Sequence, residues 1–296
     1  SDLKRLGKMT KIQRQQWYKT FFQMKYNSIV ENIDELIKVK SKLEEKLERL
    51  SVEEDENHSI IGVDFKSLSL LRCRKCNGEF ILSDGNITNN KILNGVLKCS
   101  CNEELIVKDG ILLSNSIVNK EYEEFSIIDY INNTKEEFLE NMCTCMEWAY
   151  KNTDFKNIEN KVVLELGSGF GFLIRTIYDE LPENSIYILV DYDISRHRYL
   201  KKTLEKANCR KNLLFICSDF LEMPIKENSV DFVYDVVGTS YYCMENEDFL
   251  LKHIDKYIKD DAKLVGGYII FDNFSEKSII DERYRHNFII DNIDKR

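Results

Sequence analysis

The 296 residues are 43% hydrophobic and 31% charged with a net charge of −9, enough apolar material for a large core plus smaller modules. The charge is uneven: residues 1–25 carry seven Lys or Arg against Asp2, residues 117–160 four basic against ten acidic side chains, and residues 161–296 carry 19 against 24. The large C-terminal part is therefore a poor match to a phosphate backbone, and no apolar run spans a bilayer or reads as a leader, so a cytoplasmic protein without a membrane partner is expected.

The first fifty residues lack proline and show helical periodicity. Phe22, Tyr26, Ile29, Ile33, Leu36, Lys40, Leu43, Leu47 and Leu50 alternate spacings of four and three, a heptad seam in which Lys40 is the one polar member. Such a seam needs a partner: a second chain in a coiled-coil homodimer, or the rest of the same chain. The acidic run in "SVEEDENHS" closes it as a solvated linker, giving a helical segment over 1–58.

Residues 59–116 hold short apolar stretches between "NGE", "SDGN" and "KDG" turns, the pattern of small β hairpins. Nine cysteines without secretory features argue for metal or free thiols rather than disulfides. Two close pairs, Cys73 and Cys76 in "LRCRKCNGE" and Cys99 and Cys101 in "LKCSCNEE", can converge on one tetrahedral ion. Four thiolates close the coordination sphere, so zinc here would be structural, and Arg72, Arg74, Lys75 and Lys98 stand ready to offset its net negative charge. With the following "ELIVKDGILL", the stretch resembles Trm112-like zinc ribbons and the ribbon fused ahead of some rRNA guanine methyltransferases; the CxC spacing departs from the usual pattern.

Residues 117–160 return to helical spacing, with Phe138, Met142, Cys145, Met146 and Ala149 on one face, and read as a helical lid. Cys143 and Cys145 repeat the CxC spacing on that helix, where burial is the simpler reading. From Lys161 on, strands "VVLEL", "SIYILVD", "NLLFIC", "VDFVYDVV" and "GGYIIFD" alternate with helices, one of them expected near 245–259. This predicts an α/β, Rossmann-like doubly wound parallel sheet over 117–296. Residues 275–296 are too few for the helix and hairpin that usually complete it, so either the chain is truncated or the sheet is short.

The turn "ELGSGFG" after the first of these strands is not a dinucleotide fingerprint, because Phe172 stands where the third glycine belongs, and no Walker GK[ST] follows. Gly167, Gly169 and Gly171 instead let backbone approach a ligand closely. With Glu165 before them, they resemble motif I of class I S-adenosylmethionine-dependent methyltransferases. That resemblance implies a cofactor site made of Glu165, Gly167, Ser168, Gly169 and Gly171, with Asp191 or its rival Asp193 on the ribose hydroxyls. It further implies Asp219 at the adenine amino group, Phe220 flanking the ring, and Asp235 at the methionine end or facing solvent. Asp231 reads as a structural strand-start residue.

The implied activity is methyl transfer to an O or N nucleophile of a small molecule or RNA. No catalytic base is assigned; Tyr241, Tyr242 and Asp235 fall where a substrate pocket opens. The strand-four end "DVVGTSYY" lacks the [ND]PPY loop, and no Pro-Cys nucleophile is present. A second reading rests on the heptad helix beside a basic arm, which resembles the dimerisation helix of MerR-like regulators. It implies a dimer that contacts DNA through the N-terminus and uses the methyltransferase-like domain as a sensor.

Overall fold

The computed structural model describes residues 10–49, 59–117, 126–246, 249–270 and 281–288. The first nine residues of the basic arm, the acidic run at 51–58, Leu50, part of the expected lid at 118–125 and most of 275–296 lie outside the described residues. The chain divides into two compact units between Glu56 and Asn57.

The described residues of the first unit form the helix α1 (Lys11–Arg49), in keeping with the proline-free periodicity. No helix among the described residues is long and apolar enough to cross a membrane.

The second unit is built on one ten-stranded sheet. Its elements are β1 (Val63–Asp64), β2 (Phe80–Thr88), β3 (Lys91–Cys99), β4 (Glu104–Lys108), β5 (Ile111–Leu113), α2 (Ile127–Asn133), α3 (Glu136–Lys151), β6 (Val162–Leu166) and α4 (Phe172–Ile177). They continue with β7 (Ile186–Asp191), α5 (Ile194–Lys206), β8 (Asn212–Cys217), β9 (Val230–Val236), α6 (Ser240–Glu245), α7 (Leu251–Ile254) and β10 (Ile258–Gly267). The spatial order is β1-β3-β4-β5-β8-β7-β6-β9-β10, with β2 paired to β3. Strands β8, β7, β6, β9 and β10 are parallel, and β5 joins β8 in parallel while pairing β4 antiparallel. The cysteine-bearing hairpins and the parallel sheet are thus one continuous surface.

Alternation along the central strands explains the two faces. Val163 belongs to one core with Leu173, Leu189 and Phe215, whereas Leu164 and Leu166 belong to the other with Ile188, Leu214 and Ile216. The second core also takes in Leu97, Val107, Cys73 and Cys99. A ribbon too small to bury a core of its own borrows one from the parallel sheet.

Two local expectations are corrected. The single helix near 245–259 is instead the short α6 and α7, and Ile258 already begins a strand. That strand is "IKDDAKLVGG", while Tyr268–Ile270 leave it. Backbone pairing to β9 holds β10 despite its charged residues, with a register shift between Ile258 and Lys263, because an edge strand tolerates polar side chains. Cys143 is exposed rather than buried.

Candidate functional site

Two turns bring the four cysteines together. Asn77 and Asn102, both with positive φ (57° and 70°), close knuckles of the same design. Asn77 N donates to Cys73 O at 2.7 Å and Cys73 N to Gly78 O at 2.9 Å; Asn102 N donates to Cys99 O and Cys99 N to Glu103 O, both at 2.9 Å. The second knuckle is one residue shorter, which is why CxC does the work of CxxC. The four sulfurs lie within 4.8 Å of one another, with Cys73–Cys101 at 3.5 Å and Cys76–Cys99 at 3.4 Å. A tetrahedral thiolate set around a metal at about 2.3 Å spaces its sulfurs by about 3.8 Å, so the donor set fits such an ion. A Cβ on Gly78 would stand 3.0 Å from Cys99 Sγ and 3.1 Å from Cys76 Sγ, so a side chain here would crowd the cluster by a few tenths of an ångström. The Cys101 backbone N–H draws the Cys99 thiol down to about 7, whereas burial raises Cys73 and, against the backbone bond at Gly78, the neighbouring sulfurs raise Cys76. The nearby cations are spent differently from the sequence expectation. Lys75 pairs with Glu103, Lys98 with Glu104 and Arg72 with Glu79, while Arg74 donates to Leu221 O, because glutamates stand within reach of each knuckle.

The second constellation sits where the sheet order reverses, at the C-terminal ends of β6 and β9, the crevice in which open α/β sheets bind ligands. The glycines of the turn have different reasons to be glycine. A Cβ on Gly167 would meet Gly238 Cα at 2.5 Å, so these two residues permit the ends of β6 and β9 to touch. Gly171 is closed off by Leu200 of α5. Gly169 alone of the three faces open space, with φ +51° and no neighbour nearer than 3.9 Å. Packing accounts for glycine at 167 and 171, and the positive φ accounts for it at 169. Gly238 was missed in the sequence, although a glycine directly after "VDFVYDVV" was its signal.

Asp191 is buried, and its carboxylate holds the turn. Oδ2 accepts from Gly169 N at 2.7 Å and Oδ1 from Asp193 N at 2.9 Å. Burial still raises its pKa, against the pull of those N–H groups and of Arg196. Asp193 is committed elsewhere: it caps α5 by accepting from Ser195 N and Oγ, and it pairs with Arg196 at 3.2 Å. Glu165 has an internal partner as well. Tyr187 Oη donates to it at 2.8 Å, and burial pushes its carboxyl up to about 8, Asp191 adding to the effect.

Ser168 Oγ lies 3.0 Å from Nε2 of His197, a fully buried ring that burial holds neutral by pushing its pKa down to about 3. His197 carried no motif in the sequence; only its place one turn into the helix after Asp193 marks it. Asp219 is exposed and caps the short turn that starts with Phe220, which is half-buried on the ribbon-side core.

At the end of β9, Asp235 is fully buried, accepting from Thr239 N at 3.0 Å and Thr239 Oγ1 at 2.8 Å, and burial raises it to about 6. It does not face solvent. The next turn forces Val237 to φ +64°, a conformation that a β-branched residue adopts only under strain, as functional loops often do. Tyr268 folds back over Gly266 and brings its buried hydroxyl beside the Asp235 carboxylate. Tyr242 is half-buried beside His253; the side chain of Tyr241 lies outside the described residues. Asp231, by contrast, is structural: it accepts from Val162 N and pairs with Lys161 and Lys259.

A cavity of about 330 Å3 lies apart from the glycine turn, between the first knuckle and the turn after Asp219, with Lys75, Glu103, Asn115 and Glu222 among its lining residues.

A parallel sheet that reverses order beside a glycine turn, with carboxylates at the ends of its second and fourth parallel strands, is a Rossmann-like α/β fold with its ligand crevice at the switch point. Residues 163–261 match the family described as Methyltransferase domain. The chain therefore carries a methyltransferase domain, and the protein is an enzyme of that class. No curated protein matches it. Among solved structures, the chain is similar to a SAM-dependent methyltransferase from Aquifex aeolicus, at 20% identity over 54% of this chain and 80% of that one, with a TM-score of 0.40. It is similar to a protein of Methanococcus maripaludis assigned to the same class, at 18% identity over 51% and 68%, with a TM-score of 0.37. A third likeness, to a chain of the complex between the Haloferax volcanii Trm112 methyltransferase activator and a protein assigned as a methyltransferase, has 16% identity over 48% and 60% and a TM-score of 0.38. The class rests on the matched domain and the sheet, not on these likenesses.

Proposed function

We propose that this chain binds S-adenosylmethionine at the glycine turn and transfers its methyl group to an O or N nucleophile of a small molecule or RNA. The observation that carries the reading is the bond from Gly169 N to the buried Asp191 carboxylate, at the one glycine of the turn that faces open space. Bound there, the cofactor supplies a methyl group on a positively charged sulfur, already activated for displacement. The chain then has to hold, orient and keep out water. Asp191 offers its remaining lone pairs to ribose hydroxyls, the preferred assignment over Asp193, whose carboxylate is taken by the α5 cap. Asp219 and Phe220 frame the adenine end. Asp235, Thr239 and Tyr268 line the opposite end. In this reading the cysteine cluster holds one structural zinc.

Calorimetry of the full chain with S-adenosylmethionine, and separately with NADH, tests this. The expectation is binding of the first alone, weakened at least tenfold in Gly169→Val and in Asp191→Ala. Unchanged affinity in both variants would put the cofactor elsewhere.

A further inference from the structure

Along α1, the side chains of Phe22, Tyr26, Ile29, Ile33, Leu36 and Leu43 are all at least 49% exposed. An apolar seam of this length, at alternating spacings of four and three, is a surface on which another helix packs. Charge says which helix. Within the helix, residues 11–29 hold four Lys or Arg and no acidic residue, and residues 30–49 hold five against six Asp or Glu. Two copies aligned in parallel would lay the basic half on the basic half. Aligned antiparallel, the basic half meets the half that carries all the acidic residues of the helix.

The seam leads to the same orientation independently. In a parallel pair in register, Lys40 faces Lys40 inside the apolar layer. In the antiparallel register that sets Ile29 against Lys40, Tyr26 faces Leu43 and Ile33 faces Leu36. Each layer then joins unlike residues, and Lys40, whose ammonium lies 3.3 Å from Glu44 on its own helix, covers Ile29 with its methylenes. The helix dipoles favour the antiparallel arrangement too.

We propose that α1 is a self-association helix that pairs antiparallel with α1 of a second copy of this chain. The basic N-terminal half then lies against the acid-bearing half of the partner helix instead of against a copy of itself. The proposal stands apart from the methyl-transfer reading.

Light scattering of the full chain gives its mass in solution, expected to be twice 35.0 kDa. An equal mixture of isotopically light and heavy chains, treated with an amine-reactive cross-linker, then reports orientation. Light-to-heavy links joining Lys25 to Lys42 support the antiparallel pair; links joining Lys25 to Lys25 and Lys42 to Lys42 overturn it. A single-chain mass overturns the proposal outright, as does a single chain that binds duplex DNA or RNA in a salt-sensitive manner. Ile33→Glu, at the centre of the seam, is expected to halve the mass while S-adenosylmethionine affinity stays within twofold of wild type, and Ile33→Leu to keep the doubled mass.

Discussion

Gly169 and Glu165 show how differently two residues of one motif serve it. At Gly169 a side chain would be strained by the positive φ and would project into open space, so Gly169→Ala is expected to weaken S-adenosylmethionine binding while moving the melting temperature by only a few degrees. Gly167→Ala should instead unfold the chain, since its Cβ has no room against Gly238. Thermal melts with and without cofactor separate the two outcomes. Glu165 makes a pH prediction. Burial lifts its carboxyl to about 8 in the folded chain, against an ordinary value of about 4.3. Between those values the folded protein holds a proton that the unfolded chain has released, so this residue makes stability fall as pH rises from about 4.3 to about 8. In Glu165→Gln that slope should vanish, and the variant should gain relative to wild type at pH 8 more than at pH 5 in urea titrations. Equal slopes would mean that the Glu165 carboxyl does not titrate in this window.

The two cysteine knuckles are interpretable as elements rather than as single residues. Each is a tight turn closed by an asparagine in the left-handed region, and each supplies two sulfurs. Their backbone bonds hold the donors in place, yet four thiols clustered this closely are a weak substitute for a core. A chelator, or Cys99→Ser, is therefore expected to release about one zinc per chain and lower the melting temperature by ten degrees or more, measured by metal analysis and calorimetry on the same sample. No change in melting temperature after metal removal would show that the shared apolar core alone holds the ribbon. Gly78→Val should mimic metal loss, because its side chain would press on Cys76 and Cys99.

On the scale of the whole second unit, the pairing of β5 with β8 makes the ribbon and the parallel sheet one structure. Deleting residues 59–116 should expose Ile188, Leu214 and Ile216 and leave the remainder insoluble or molten, whereas an independent module would leave a folded sheet behind. Near-ultraviolet circular dichroism of the shortened chain decides between them. The sequence by itself was enough for the α1 helix, the parallel strands up to "VDFVYDVV", the four cysteines and the glycine turn, because each is written in local spacing or in residue types that few other arrangements tolerate. It misread the described residues between 249 and 270, where β10 is held by backbone pairing that leaves no apolar alternation. Only the tertiary structure decided which glycine faces open space, that Asp193 is spent on a helix cap, and that His197, Gly238 and Tyr268 belong beside the crevice. Those facts depend on contacts between segments tens of residues apart, and a contact of that kind leaves no period in the chain to read.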